Sequence, residues 1–199
     1  MQHFENYIWD LGGTLLDNYE SSSRAFAATL WEMTHRVLLH TDAYAALRVS
    51  TDFAVQTYAA DVDDFLKEYK QNEALALSQP ILFDGAREVL AQLKNSGSRQ
   101  FMISHRDKQV LEILSAAGIS DVFTEVVTAD NGFQRKPAPD SINYLLEKYQ
   151  LTADKTVMIG DRALDIEAGN AAGVKTIAFS SDENFPDADA TISTLKELL

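Results

Sequence analysis

The chain has 199 residues, 46% of them hydrophobic and 24% charged, with 30 Asp and Glu against 17 Lys and Arg for a formal net charge of −13. That length builds one good-sized core, or a core with a modest insertion, and it is too short for two full enzymes. The acidic balance lacks the basic face that nucleic acids and anionic membranes require, and a chain without cysteine has no disulfide, thiol nucleophile or thiolate zinc site.

The opening MQHFENYIWD has no basic region leading into an apolar stretch, so no signal peptide is expected there. No apolar run approaches about 18 residues, and none is expected to span a bilayer. A soluble, cytoplasmic protein is the expectation.

The first element is a short apolar run, Tyr7-Ile8-Trp9, ending at Asp10. Residues 16–81 differ in character. They contain no glycine and no proline before Pro80, and helical spacings recur in Phe26, Leu30, Met33 and Val37 and in Phe65, Leu66 and Tyr69. This stretch is expected to be an all-helical unit inserted after the first strand. Apolar runs then return at Phe101-Met102-Ile103, Val126-Val127, Val157-Met158-Ile159 and Thr176-Ile177-Ala178-Phe179. Runs this short and without alternation suit strands buried on both faces. Between them lie helical patterns: Val110, Leu111, Leu114 and Ala117 after a cap at Asp107 and before a stop at Gly118, then Ile142, Leu145, Leu146 and Tyr149. The closing STLKELL predicts a short helix. The expected fold is α/β, a doubly wound parallel sheet over residues 1–15 and 82–199, with a helical cap at 16–81.

Ligands bind at the carboxyl ends of the strands in such a sheet. The first strand runs into Asp10-Leu11-Gly12-Gly13-Thr14, the second into Ser104, His105 and Arg106, the third into Arg135-Lys136-Pro137 and the fourth into Gly160, Asp161, Arg162 and Asp165. Carboxylates gathered on one edge repel unless a cation joins them, and oxygen donors of this kind suit Mg²⁺. A lysine and a hydroxyl beside that cation suit a phosphoryl group.

Four segments in this order, Asp10-Leu11-Gly12-Gly13-Thr14-Leu15, Ser104 after FMI, Lys136 in RKPAPD, and GDRALDIEAGNAAG from Gly160, resemble the motifs of the haloacid dehalogenase (HAD) superfamily in its helical-cap branch. The resemblance covers the whole chain. It implies that Asp10 is the nucleophile and forms an aspartyl-phosphate. Asp10, the Gly12 carbonyl and Asp161 would hold Mg²⁺, with Asp165 in or next to that shell, while Ser104 and Lys136 hold the phosphoryl oxygens. Gly12, Thr14, His105 and Arg106 would line the substrate side, and the cap would open and close over hinges near residues 15–18 and 79–83. The implied substrate is a small phosphorylated metabolite.

One departure stands out. Phosphatases of the family carry a second Asp two residues after the nucleophile, where this chain has Gly12. That Asp protonates the leaving oxygen, and such a group is worth about 10²–10⁴ in rate. His105, with Asp17 behind it, is the candidate replacement. Its alternative is only to line the pocket or to hydrogen-bond the cap. A phosphatase for good leaving groups is one reading, and a silent protein binding a phosphorylated ligand or a protein partner is another. Carbon–phosphorus cleavage through an early lysine is disfavoured, because no lysine occurs between Asp10 and Lys67; halide displacement calls for an aromatic residue at position 12.

Several other residues have an ordinary structural reading beside a functional one. Arg106 reaches either a second acidic group of the substrate or a surface carboxylate. Arg162 is expected to pair with nearby acids, Trp9 to sit in the core, and Gly169 and Gly173 to serve close packing and a helix stop. Asp61, Asp63 and Asp64 mark a helix entrance. In the cap, Arg48, Ser50 and Thr51 read as specificity residues or as helix ends.

Overall fold

The computed structural model describes residues 3–181 and 184–199. In chain order the regular elements are β1 (Asn6–Trp9), α1 (Asn18–Thr34), α2 (His40–Val49), α3 (Thr51–Tyr58), α4 (Phe65–Leu77), α5 (Ala86–Asn95), β2 (Arg99–Ile103), α6 (Gln109–Ala116), β3 (Glu125–Val127), α7 (Asp140–Tyr149), β4 (Thr156–Gly160), α8 (Ala163–Ala172), β5 (Lys175–Phe179) and β6 (Ala190–Ile192). The chain divides into two compact units, one of Met1–Leu16 with Leu82–Leu199 and one of Asp17–Ile81. No helix of the described residues is long and apolar enough to cross a membrane.

In the α/β unit the six strands pair in the order β3-β2-β1-β4-β5-β6, all parallel. Successive side chains of a strand point to opposite faces, and both faces here are covered. Tyr7, Trp9, Met102, Val157 and Ile159 pack with Val89, Leu90 and Leu93 of α5 and with Val110 and Leu114 of α6. Ile8, Phe101, Ile103 and Met158 face Ile142 and Leu145 of α7 and Ala168 of α8. Burial on both sides explains why the strands read as unbroken apolar runs, and Trp9 is a core residue with none of its surface exposed. Gly169 lets α8 lie close to the sheet, since a Cβ there would stand 2.5 Å from Thr176 Cγ2.

β6 is the strand that apolar runs do not announce. It is three residues long, and the loop before it is tied to the sheet by Asp189, whose Oδ2 accepts from Thr176 N at 2.9 Å and whose Oδ1 meets Lys175 Nζ at 2.9 Å. The closing segment forms a single tight turn at Leu195–Leu198 in place of an α-helix, and both leucines enter the core.

In the helical unit α1 packs on α2 and α4, with Phe26 edge-on to Phe65 and Tyr69 at 4.8 and 5.1 Å between ring centres. A half-buried polar set runs beside this core. The Glu73 carboxylate accepts from Ser22 and Tyr69 at 2.7 Å each, and Asn72 donates to Thr29 at 2.9 Å. The apolar spacing in α1 overruns the helix. The backbone enters the left-handed region at His35, whose N–H bonds back to Trp31, so Val37 lies beyond the end at 81% exposure; Met33, in the last turn, is exposed as well.

Candidate active site

With strand order 3-2-1-4-5-6, the sheet changes direction of winding between β1 and β4, and the carboxyl ends of those two strands flank the crevice where such folds bind ligands. Asp10 follows β1, and its N–H continues the ladder to Ile159 O at 2.9 Å. Asp161 follows β4. After Asp10 the backbone folds tightly, with Leu15 and Leu16 N–H groups both returning to Leu11 O.

That turn brings residue 13 against Asp161. A Cβ on Gly13 would stand 2.0 Å from Asp161 Oδ2, and its φ of +93° lies where side chains are disfavoured, so only glycine fits. Gly160 does the same for Asp165, whose Cβ and Cγ would lie 2.3 Å from an added Cβ. The two glycines are the space into which two carboxylates turn. The proximity of Gly160 to Asp165 has no signature in the spacing of GDRALD.

The centre of the site is an ammonium between two carboxylates. Lys136 Nζ donates to Asp10 Oδ1 and to Asp165 Oδ1 at 2.5 Å each, and the three residues are 5%, 5% and 0% exposed. Burial works to lower the Lys136 pKa, but Asp10 and Asp165 more than offset it and hold the amine charged. Asp165 is pushed up to about 6 by burial and by Asp10, against the pull of Lys136. Asp161 is pushed up to about 7 by burial, then by Asp10 and Asp165, with Arg162 opposing. One oxygen from each of Asp10, Asp161 and Asp165 lies within 4.8 Å of the others.

These acids are not equivalent. Asp165 has both oxygens engaged, Oδ1 by Lys136 and Oδ2 by the backbone N–H of Arg162 at 3.2 Å, where it closes the first turn of α8. It therefore holds the lysine beside the acidic cluster. Asp161 receives the Thr14 hydroxyl, at 3.3 Å to Oδ1, and has no bond to Lys136 among the described residues. Thr14 has no exposed surface, so its side chain orients Asp161 and does not line the substrate side as the motif alone suggests.

Ser104, 7% exposed, ends β2 and accepts the N–H of Arg106 at 3.2 Å. His105 takes a place that corrects the reading of it as a substitute acid. Its Nε2 accepts the backbone N–H of Lys136 at 3.0 Å, and burial together with the Lys136 charge lowers its pKa to about 4. At neutral pH it is an uncharged acceptor with no acidic proton to give from Nε2. Asp17 is likewise committed, accepting Glu20 N–H at 3.0 Å as the N-cap of α1 and lying 3.4 Å from the Tyr44 hydroxyl. Ser50 caps α3 through Phe53 N–H at 2.9 Å, the ordinary role for a serine there, with Arg48 in the last turn of α2 and Thr51 first in α3. Arg106, Arg135 and Arg162 are exposed. Gly12 is partly exposed, and its φ is not positive.

The family model for haloacid dehalogenase-like hydrolases matches residues 7–179. The chain belongs to that family. This HAD-like hydrolase is also 50% identical to a structurally determined hydrolase from Streptococcus pneumoniae TIGR4, over 91% of this chain and 95% of that one, with a TM-score of 0.85. It is 27% identical to the phosphoglycolate phosphatase of Aliivibrio fischeri over 88% of this chain and 84% of that protein. A HAD family hydrolase from Deinococcus radiodurans R1, whose crystal structure holds phosphate and sodium, shares the fold at 21% identity, covering 98% of this chain and 93% of that one with a TM-score of 0.80.

Proposed function

We propose that this HAD-type phosphohydrolase is Mg²⁺-dependent and cleaves a small phosphate monoester through an aspartyl-phosphate on Asp10. The observation that carries the reading is the Lys136 ammonium joined to both Asp10 and Asp165, with Asp161 alongside. An Asp10 oxygen attacks phosphorus, the new O–P bond forms as the bond to the leaving oxygen breaks, and water then cleaves the acyl phosphate to free phosphate and restore Asp10. Lys136 pairs with the Asp10 carboxylate and balances charge on the phosphoryl oxygens, which the Ser104 hydroxyl also meets.

The cation suits these residues. Hard oxygen donors gather in one place, and two of the three carboxyl groups, Asp161 and Asp165, are driven toward protonation by burial and by Asp10. Asp10, Asp161 and the Gly12 carbonyl would hold Mg²⁺, with Asp165 beside them. When bound, it supplies positive charge next to the phosphoryl oxygens. We read residues 1–15 and 82–199 as the catalytic core and 16–81 as an inserted cap. The name of the Aliivibrio relative favours a substrate with a second anionic group, and Arg106, Arg135 and Arg162 follow or precede Ser104, Lys136 and Asp161 closely enough in sequence to meet one.

With Gly12 in place of an acid and His105 neutral, the leaving group departs without a protein proton. Aryl and acyl phosphates should therefore turn over faster than alkyl phosphates. Replacing Gly12 by Asp, at a position whose φ admits a side chain, should raise kcat on an alkyl phosphate by about 10²-fold or more while changing acetyl phosphate much less. Equal or slower alkyl turnover in Gly12→Asp would contradict the missing-acid account.

A further inference from the structure

We propose that His105 is the positioning residue for Lys136: its ring Nε2 holds the lysine's backbone N–H and so fixes where the ammonium stands between Asp10 and Asp165. This deepens the hydrolase reading and rests on it. The contact joins residues 31 apart in sequence, from the end of β2 to the loop between β3 and α7. A second contact ties the same two segments, Arg135 donating to the His105 carbonyl at 3.4 Å. The strand end thus has two adjacent tasks. Ser104 is the hydroxyl that the hydrolase reading assigns to the phosphoryl group, and His105 holds the loop that delivers the lysine.

The arrangement has a physical need. A lysine side chain has about 2 kcal/mol of rotamer entropy, and its ammonium is useful here only at one point between two buried oxygens. Fixing the backbone N–H at the base of that side chain removes the motion of the loop that the side chain alone cannot resist. The neutral ring suits the task, since a protonated imidazole has no lone pair for the Lys136 N–H. A displacement of about 1 Å at a clamping group costs on the order of 10²-fold in rate.

The test compares His105→Ala, His105→Gln, Lys136→Ala and the double alanine variant on p-nitrophenyl phosphate. The glutamine carbonyl reaches the place of Nε2 and restores an acceptor. His105→Ala should lower kcat about 10- to 100-fold, His105→Gln should recover most of it, and His105→Ala should cost nothing further once Lys136 is gone. A wild-type kcat in His105→Ala, a glutamine no better than alanine, or a full additional loss in the Lys136→Ala background would overturn the proposal. A readout without substrate is the ¹⁵N–¹⁵N coupling across the Lys136 N–H···Nε2 bond in labelled wild-type protein, expected to be present at pH 7. Its absence overturns the positioning role. An inactive wild-type chain that shows the coupling would instead sink the hydrolase reading and leave the contact standing.

Discussion

Lys136→Ala is expected to lower turnover by about 10²–10³-fold and to cost about 3–5 kcal/mol of stability at pH 8. The ammonium is the only group that bonds Asp10 and Asp165 together among the described residues, and all three are buried. Removing it leaves two buried carboxylates facing each other with Asp161 nearby. The cost should shrink at pH 5, where protonation relieves that repulsion. Denaturant melts of the two proteins at both pH values, beside kcat, check this. Turnover within tenfold of wild type, or a stability loss independent of pH, would count against the central place given to the lysine.

The second large effect is a pH-dependent response to metal removal. The folded-state pKa of Asp161 is raised from 3.8 to about 7. A carboxyl raised in this way stabilises the fold fully below its unfolded pKa and loses that contribution as pH rises through the folded value. The metal-free protein should therefore weaken between about pH 4 and pH 7. Asp161 alone contributes up to about 4 kcal/mol of that change, and Asp165, also raised, adds in the same direction. On the proposed reading, Mg²⁺ held by the ionised carboxylates would offset the loss. The gain in melting temperature from Mg²⁺ over EDTA should be small at pH 5 and largest near pH 8, and Asp161→Asn should flatten both curves. An equal gain at both pH values would contradict the assignment of Asp161 to the cation.

The strands and the chemistry at their ends are legible in the sequence because a sheet buried on both faces demands unbroken apolar runs, and Asp10, Ser104, Lys136 and Asp161 each close or follow one. β6 is not legible. Its Ala190-Thr191-Ile192 forms no apolar run, and what secures it is Asp189 reaching back to Thr176. The end of α1 is misread for a related reason. Apolar spacing continues to Val37, but the turn at His35 is made by local bonds, with the Thr34 hydroxyl donating to Leu30 O and accepting Arg36 N–H.

At the site, sequence gathers the residues without dividing the labour among them. Asp161 and Asp165 look alike in GDRALD, and only the bonds to Lys136 and to Arg162 N–H set Asp165 apart as the holder of the lysine. Thr14 and His105 look like pocket residues, yet one is turned onto Asp161 and the other onto Lys136. Contacts between segments this far apart along the chain leave no mark on local pattern.

The most direct test of the account is hydrolysis of p-nitrophenyl phosphate and acetyl phosphate, beside a panel of sugar phosphates, nucleotides and 2-phosphoglycolate, by wild type and Asp10→Asn with Mg²⁺ or EDTA. The account predicts activity that requires Mg²⁺ and disappears in Asp10→Asn, with acyl and aryl phosphates ahead of alkyl ones. Activity that survives in Asp10→Asn, or a wild type no faster than Asp10→Asn on every member of the panel, would contradict it.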